Sequence, residues 1–170
     1  MADTILKKRE TCFSCAVRCK RVVEAEKDGY KVDPVYGGPE YETIGTFGSY
    51  CGVDDLEAIS YANQVCNEYG VDTISCGATI AFAMECFEKG IISKAETGGI
   101  ELKFGNTKAM LEVLDQIVNR STPLGMLLST GSARAAEAWG EQARACLITV
   151  KNQEAPAHMP QVKKSLALIY

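Results

Sequence analysis

Within eight residues, Cys12-Phe13-Ser14-Cys15-Ala16-Val17-Arg18-Cys19, the chain places three thiols at C-x2-C-x3-C spacing, and no other run constrains its structure as tightly. Short spacers of this kind let several sulfurs converge on one metal centre without a long ordered loop. Thiolate is the soft ligand preferred by iron–sulfur clusters and by zinc. Zinc sites usually arrive as two separated pairs, and the sequence has no second C-x2-C and no H-x3-H pair, so the spacing favours iron–sulfur. A radical-forming cluster that binds an adenosyl cofactor would read C-x3-C-x2-C, the reverse order. The bland alternative is three ordinary buried cysteines. A cluster also needs a fourth ligand, and none is marked: Cys51, Cys66, Cys76, Cys86 and Cys146 stand singly, mostly in helical apolar patterns where cysteine serves as a small hydrophobe.

With 170 residues, 46% of them hydrophobic, the chain is long enough to bury one sizeable core, and a single domain over residues 1–170 is expected. A net charge of −4 argues against a nucleic-acid surface. Eight cysteines behind Met1-Ala2-Asp3-Thr4, with no apolar signal segment, point to a reducing cytosol rather than to a disulfide framework. The longest apolar-leaning stretch, Ile74 to Met84, is too short to span a bilayer, so no membrane partner is expected.

After the triplet, the Gly- and Pro-containing stretch from Glu26 to Pro39 reads as loop with a short hairpin. From residue 53 the pattern turns helical. Asp54 or Asp55 suits an N-cap, Leu56, Ile59, Ala62, Val65, Cys66 and Tyr69 recur at three- and four-residue steps, and Gly70 stands where a left-handed C-cap is wanted. Asp72 then caps a second helix, Thr73 to Lys89, apolar on most sides and ended by Gly90. Asn106 or Thr107 caps a third, with Met110, Leu111, Leu114, Ile117 and Val118 on one face. Pro123 suits the first turn of a short helix to Leu128, and Ser132 caps another through Trp139. Cys146 to Val150 is β-prone and reads as a lone strand or an extended strip; beyond Pro156 and Pro160 the tail from Leu166 to Tyr170 is apolar. The fold class expected is all-α and multihelical, with a small irregular or β-hairpin region near the N-terminus.

The triplet, Gly37-Gly38-Pro39-Glu40-Tyr41-Glu42-Thr43, the run from Asn67 to Ser75, the run from Ala83 to Gly90, Phe104-Gly105-Asn106-Thr107 and Glu154-Ala155-Pro156-Ala157-His158 follow one another in an order that resembles the aldehyde:ferredoxin oxidoreductase family. The likeness runs over nearly the whole chain and is to the middle, helical domain of those longer enzymes. It implies a tungsten or molybdenum atom held by two pyranopterins beside a four-iron, four-sulfur cluster. The activity implied is oxidation of an aldehyde to a carboxylic acid, with electrons leaving through the cluster to ferredoxin. By position, Cys12, Cys15 and Cys19 are similar to three cluster ligands, the fourth coming from a later domain of the same polypeptide.

Glu42 is similar to a carboxylate beside the tungsten, suited to proton transfer or to positioning water; from the residues alone it reads as a solvated or capping carboxylate. Asn67, Gly70 and Asp72 align with a D-x-x-G-L-D pattern that holds a pterin, Asn67 keeping a carbonyl acceptor but losing the charge. The same segment reads equally as a helix C-cap followed by an N-cap. Tyr61 and Leu111 stand where some members bind a subunit-bridging metal, and neither can ligate it, so no such metal is expected. His158, the only histidine, reads as a solvated loop residue, and Arg18 and Lys20 could tune a cluster potential by charge. The 170 residues by themselves are expected to be inactive. The alternative reading is a stand-alone iron–sulfur electron carrier or scaffold subunit that docks on a pterin-bearing partner.

Overall fold

The short hairpin expected after the triplet is the second of two antiparallel hairpins that open the chain in the computed structural model, which describes residues 1–159 and 161–169. β1 (Leu6–Glu10) pairs with β2 (Lys20–Val23), with Leu6 opposite Val23 and Glu10 opposite Lys20. β3 (Ala25–Lys27) and β4 (Tyr30–Val32) are joined by Asp28-Gly29, both at positive φ, the geometry a two-residue hairpin turn requires. Ile5, Val23 and Val32 point inward as a small cluster, against which Leu56 and Tyr61 of the helical body pack.

A 3₁₀ turn (Pro34–Tyr36) and the short α1 (Tyr41–Thr43) lead into a π-helical segment, Ile44–Tyr50. The wide turn has a cause that is only partly local. The one Thr46 Oγ1–H is shared between Glu42 O at 3.0 Å and Thr73 O at 3.1 Å, drawing the backbone away from the regular ladder.

Three longer helices then build the core, each started by a side chain that satisfies an orphan N–H. Asp55 caps α2 (Leu56–Tyr69), Asp72 caps α3 (Thr73–Glu88) and Asn106 caps α4 (Thr107–Asn119). Gly70 closes α2 in the left-handed region. The even apolar character of α3 is explained by burial: Cys76, Ile80, Phe82, Ala83, Met84 and Cys86 all lie in the core, with Phe47 and Cys51 on one side and Met110, Val113 and Leu114 on another. α5 (Pro123–Leu128), α6 (Ser132–Trp139) and α7 (Glu141–Arg144) close the body. The fold is mostly helical with small antiparallel strand pairs, as the periodicity predicts.

Two local expectations are corrected. Ser132 is the first residue of α6 rather than its cap; Gly131 holds the cap position at φ 93°, and the buried Glu154 carboxylate receives both the Ser132 N–H and Oγ–H at 2.7 Å. The stretch expected as a lone strand or an extended strip ends in half of a hairpin, β5 (Thr149–Val150) with β6 (Gln153–Glu154), turned through Lys151-Asn152 at positive φ. A last helix, α8 (Lys164–Ile169), ends the described chain, and Pro160 and Tyr170, both named in the reading of the tail, lie outside the described residues. Among the described residues no helix is long and apolar enough to cross a membrane.

Candidate functional site

The three thiols occupy the loop between β1 and β2, residues 11–19, so the Glu10–Lys20 pair clamps its base. Inside the loop Cys15 N–H donates to Cys12 O at 3.1 Å, and Thr11 Oγ1 reaches the carbonyls of Cys12 at 2.9 Å and Cys15 at 2.5 Å. Arg21 donates to the Cys19 carbonyl. Two non-glycine residues, Ser14 and Arg18, sit at φ 57° and 52°, a conformation held only where surrounding bonds impose it. Backbone carbonyls of the loop are thus engaged while the thiols are free, Cys12 and Cys19 exposed and Cys15 half-buried.

Among the described residues no three His, Cys, Asp or Glu side chains gather closely enough to hold a metal ion, so the loop presents its thiols without drawing them together. The donor set nevertheless fits a thiolate-bound centre: three soft ligands on one exposed loop, with Arg18 and Lys20 in or beside it to offset an anionic cluster. The core cysteines do not compete. Burial pushes the Cys51 thiol up to about 12 and does the same for Cys86, while the Cys66 hydrogen bond and burial push Cys76 up, so these three remain neutral thiols at physiological pH.

Glu42 is half-buried in α1, and both of its carboxylate oxygens meet the segment that holds Ala157 and His158. Its Oε2 accepts from Ala157 N–H at 2.7 Å, and its buried Oε1 lies against His158 Nδ1. The Tyr41 ring leans on the imidazole, centroids 5.1 Å apart at 51°. His158 is therefore half-buried and paired, where the sequence reads as a solvated loop. The reason is long range: the β5–β6 hairpin returns the chain over α1, and nothing near His158 in sequence signals that. The one available clue is that an otherwise histidine-free chain keeps a histidine directly after Pro156-Ala157.

Asn67, Gly70 and Asp72 form an exposed corner between α2 and α3. Asn67 Nδ2 donates to Asn63 O at 2.7 Å, and its side-chain carbonyl accepts no hydrogen bond from the described residues. Gly70 has φ 68°, and a Cβ there would touch nothing within 4 Å, so the glycine is required by conformation and leaves open space above it. A 2.9 Å bond between Thr43 Oγ1 and Thr73 Oγ1 ties α1 to the start of α3, bringing the Glu42 and Asp72 neighbourhoods to one end of the molecule. Among the described residues, the hydrogen bonds of loop 11–19 all stay within its own hairpin. Tyr61 is stacked on Tyr30 with centroids 4.8 Å apart, and Leu111 packs against the core.

A family described as "Aldehyde ferredoxin oxidoreductase, domains 2 & 3" has a sequence model that matches residues 1–170. The chain belongs to the aldehyde ferredoxin oxidoreductase family. Among members of that family, it is 36% identical over 171 residues to the tungsten-containing aldehyde ferredoxin oxidoreductases of Pyrococcus furiosus and of Thermococcus kodakarensis, covering 100% of this chain and 27% of each of those proteins. It is 32% identical over 133 residues to an aliphatic sulfonate oxidoreductase, WOR-like subunit, of Pyrococcus furiosus, covering 78% of this chain and 21% of that protein. Among solved structures, the active site complex BamBC of benzoyl coenzyme A reductase, in complex with 1,5 dienoyl-CoA, matches with a TM-score of 0.73 at 27% identity. That match covers 91% of this chain and 22% of the other. The chain thus spans about a quarter of the length of the aldehyde ferredoxin oxidoreductases it matches.

Proposed function

We propose that residues 1–170 act as one domain of a tungsten- or molybdenum-pterin enzyme that oxidises an aldehyde to a carboxylic acid and passes electrons through a four-iron, four-sulfur cluster to ferredoxin. The observation that carries this reading is the match along the entire chain to tungsten-containing aldehyde ferredoxin oxidoreductases, with the three-thiol loop inside it. The tungsten-pterin, when bound, supplies a Lewis acid and two-electron acceptor, and the cluster supplies a one-electron exit.

The chain's own residues do the rest. Cys12, Cys15 and Cys19 would hold the cluster together with a fourth thiolate from the remainder of the polypeptide. Asn67 accepts from the amino edge of a pterin, Gly70 lets the backbone approach it, and Asp72 shares a carboxylate that already accepts from Ser75 N–H at 2.8 Å. Glu42 orients water or takes its proton as the carbonyl is attacked. Free thiols on an exposed loop suit the reducing cytosol, which belongs to the same reading.

The test is anaerobic expression of the complete polypeptide with tungstate, followed by aldehyde-dependent reduction of ferredoxin. The expected result is activity in the complete polypeptide, none in the 170-residue part, and a loss of roughly 10²- to 10⁴-fold in kcat for Glu42→Gln. A reading frame that ends at Tyr170, with a product that shuttles electrons unaided, would instead favour the stand-alone carrier.

A further inference from the structure

The carboxylate of Glu42 is held from a segment 115 residues later. Its Oε2 accepts from Ala157 N–H at 2.7 Å, and Oε1, buried and with no hydrogen-bond partner of regular geometry, lies against Nδ1 of His158. The side chain of Glu42 is 18% exposed and that of His158 30%. The imidazole is backed in turn by the Tyr41 ring. The segment also lies tight against its support, since a Cβ built on Gly45 would come within 2.6 Å of Ala157 Cβ. Backbone N–H, imidazole and aromatic ring together fix which way this one carboxylate points.

We infer that His158 is a positioning residue for the reaction: its Nδ1–H donates to Glu42 Oε1 and, with Ala157 N–H, holds the carboxylate in a single orientation. This rests on the reading of Glu42 given under the proposed function. A carboxylate that handles one proton at one place needs its rotamer set before substrate arrives, and two donors on two oxygens set it while leaving the remaining lone pairs for water. It also dictates a tautomer. A neutral imidazole that donates through Nδ1 carries its proton there rather than on Nε2.

Because His158 is the only histidine, the ¹⁵N-labelled chain gives one imidazole signal set. Long-range ¹H–¹⁵N correlation is expected to show the neutral ring protonated at Nδ1, and Glu42→Ala to release it to the Nε2–H form. A wild-type ring protonated at Nε2 overturns the inference without reference to activity. In the complete enzyme, His158→Phe keeps the ring against Tyr41 but removes the donor, and is expected to lower kcat roughly 10- to 100-fold at unchanged KM. His158→Asn, whose Nδ2 stands where Nδ1 stood, is expected to restore most of it. His158→Phe in a Glu42→Gln background is expected to add no further loss. Full kcat in His158→Phe alongside a large loss in Glu42→Gln would sink the positioning role and leave the reading of Glu42 intact. Unchanged kcat in Glu42→Gln would sink both.

Discussion

Eight thiols of identical chemistry are sorted by their surroundings into two populations. Cys12, Cys15 and Cys19 meet solvent, whereas Cys51, Cys66, Cys76, Cys86 and Cys146 are buried. We predict that a thiol reagent applied to the folded chain at pH 8 modifies the loop trio and spares Cys51 and Cys86; mass-spectrometric peptide mapping checks it, and early modification of Cys51 would contradict it. The same burial has a thermodynamic consequence. The Cys51 thiol ionises at 9.0 ordinarily and at about 12 in the fold, so between those values the unfolded chain gives up a proton the folded chain keeps. Stability is therefore full below about pH 9 and falls as pH rises toward 12, by about 1.4 kcal/mol per pH unit for this thiol. Urea titrations across that range are expected to show the decline, and a Cys51→Ala chain a shallower one.

At the scale of elements, the close approach of α3 to the π-helical segment is made possible by Gly77. A Cβ there would come within 2.6 Å of Thr46 Oγ1 and 2.9 Å of Thr46 backbone carbon, so Gly77→Ala is expected to cost about 1–3 kcal/mol. Gly70→Ala meets no atom and is expected to cost about 1 kcal/mol, through φ alone. Equal losses in chemical denaturation would contradict this division. Glu154 joins three elements through one oxygen, accepting from Thr79 Oγ1, Ser132 N and Ser132 Oγ, and Glu154→Ala is expected to cost about 2–4 kcal/mol by leaving those donors buried and unpaired.

These elements also show why part of the structure was legible in the sequence. Asp55, Asp72, Asn106, Pro123 and Gly70 signal helix ends through bonds or dihedrals within three residues, so their helices were readable locally. The π-helical turn, the start of α6 and the pairing of β5 with β6 depend on Thr73, on Glu154 or on a turn of two left-handed non-glycine residues. The Glu42–His158 contact depends on a chain reversal that no local pattern records. The cysteine loop was legible as a motif, but the arrangement of its thiols is not set by spacing.

Across the whole molecule, the proposed roles divide between two places. The proposed cluster ligands ride on a hairpin loop outside the core, while Glu42 and the Asn67–Asp72 corner are tied to α1 and α3. Loop 11–19 contributes nothing to the buried core, so Cys12→Ser, Cys15→Ser and Cys19→Ser together are expected to change the unfolding free energy of the cluster-free 170-residue chain by no more than about 0.5 kcal/mol. That makes the triple variant a fair control for the central claim, that this loop anchors an iron–sulfur centre. The most direct measurement is iron and acid-labile sulfide in the anaerobically purified complete polypeptide, alongside its triple variant and with spectra of the reduced state. The account predicts a visible charge-transfer band and a reducible paramagnetic centre in the wild type, both lost in the variant; a variant that retains the same iron, sulfide and spectrum would contradict it.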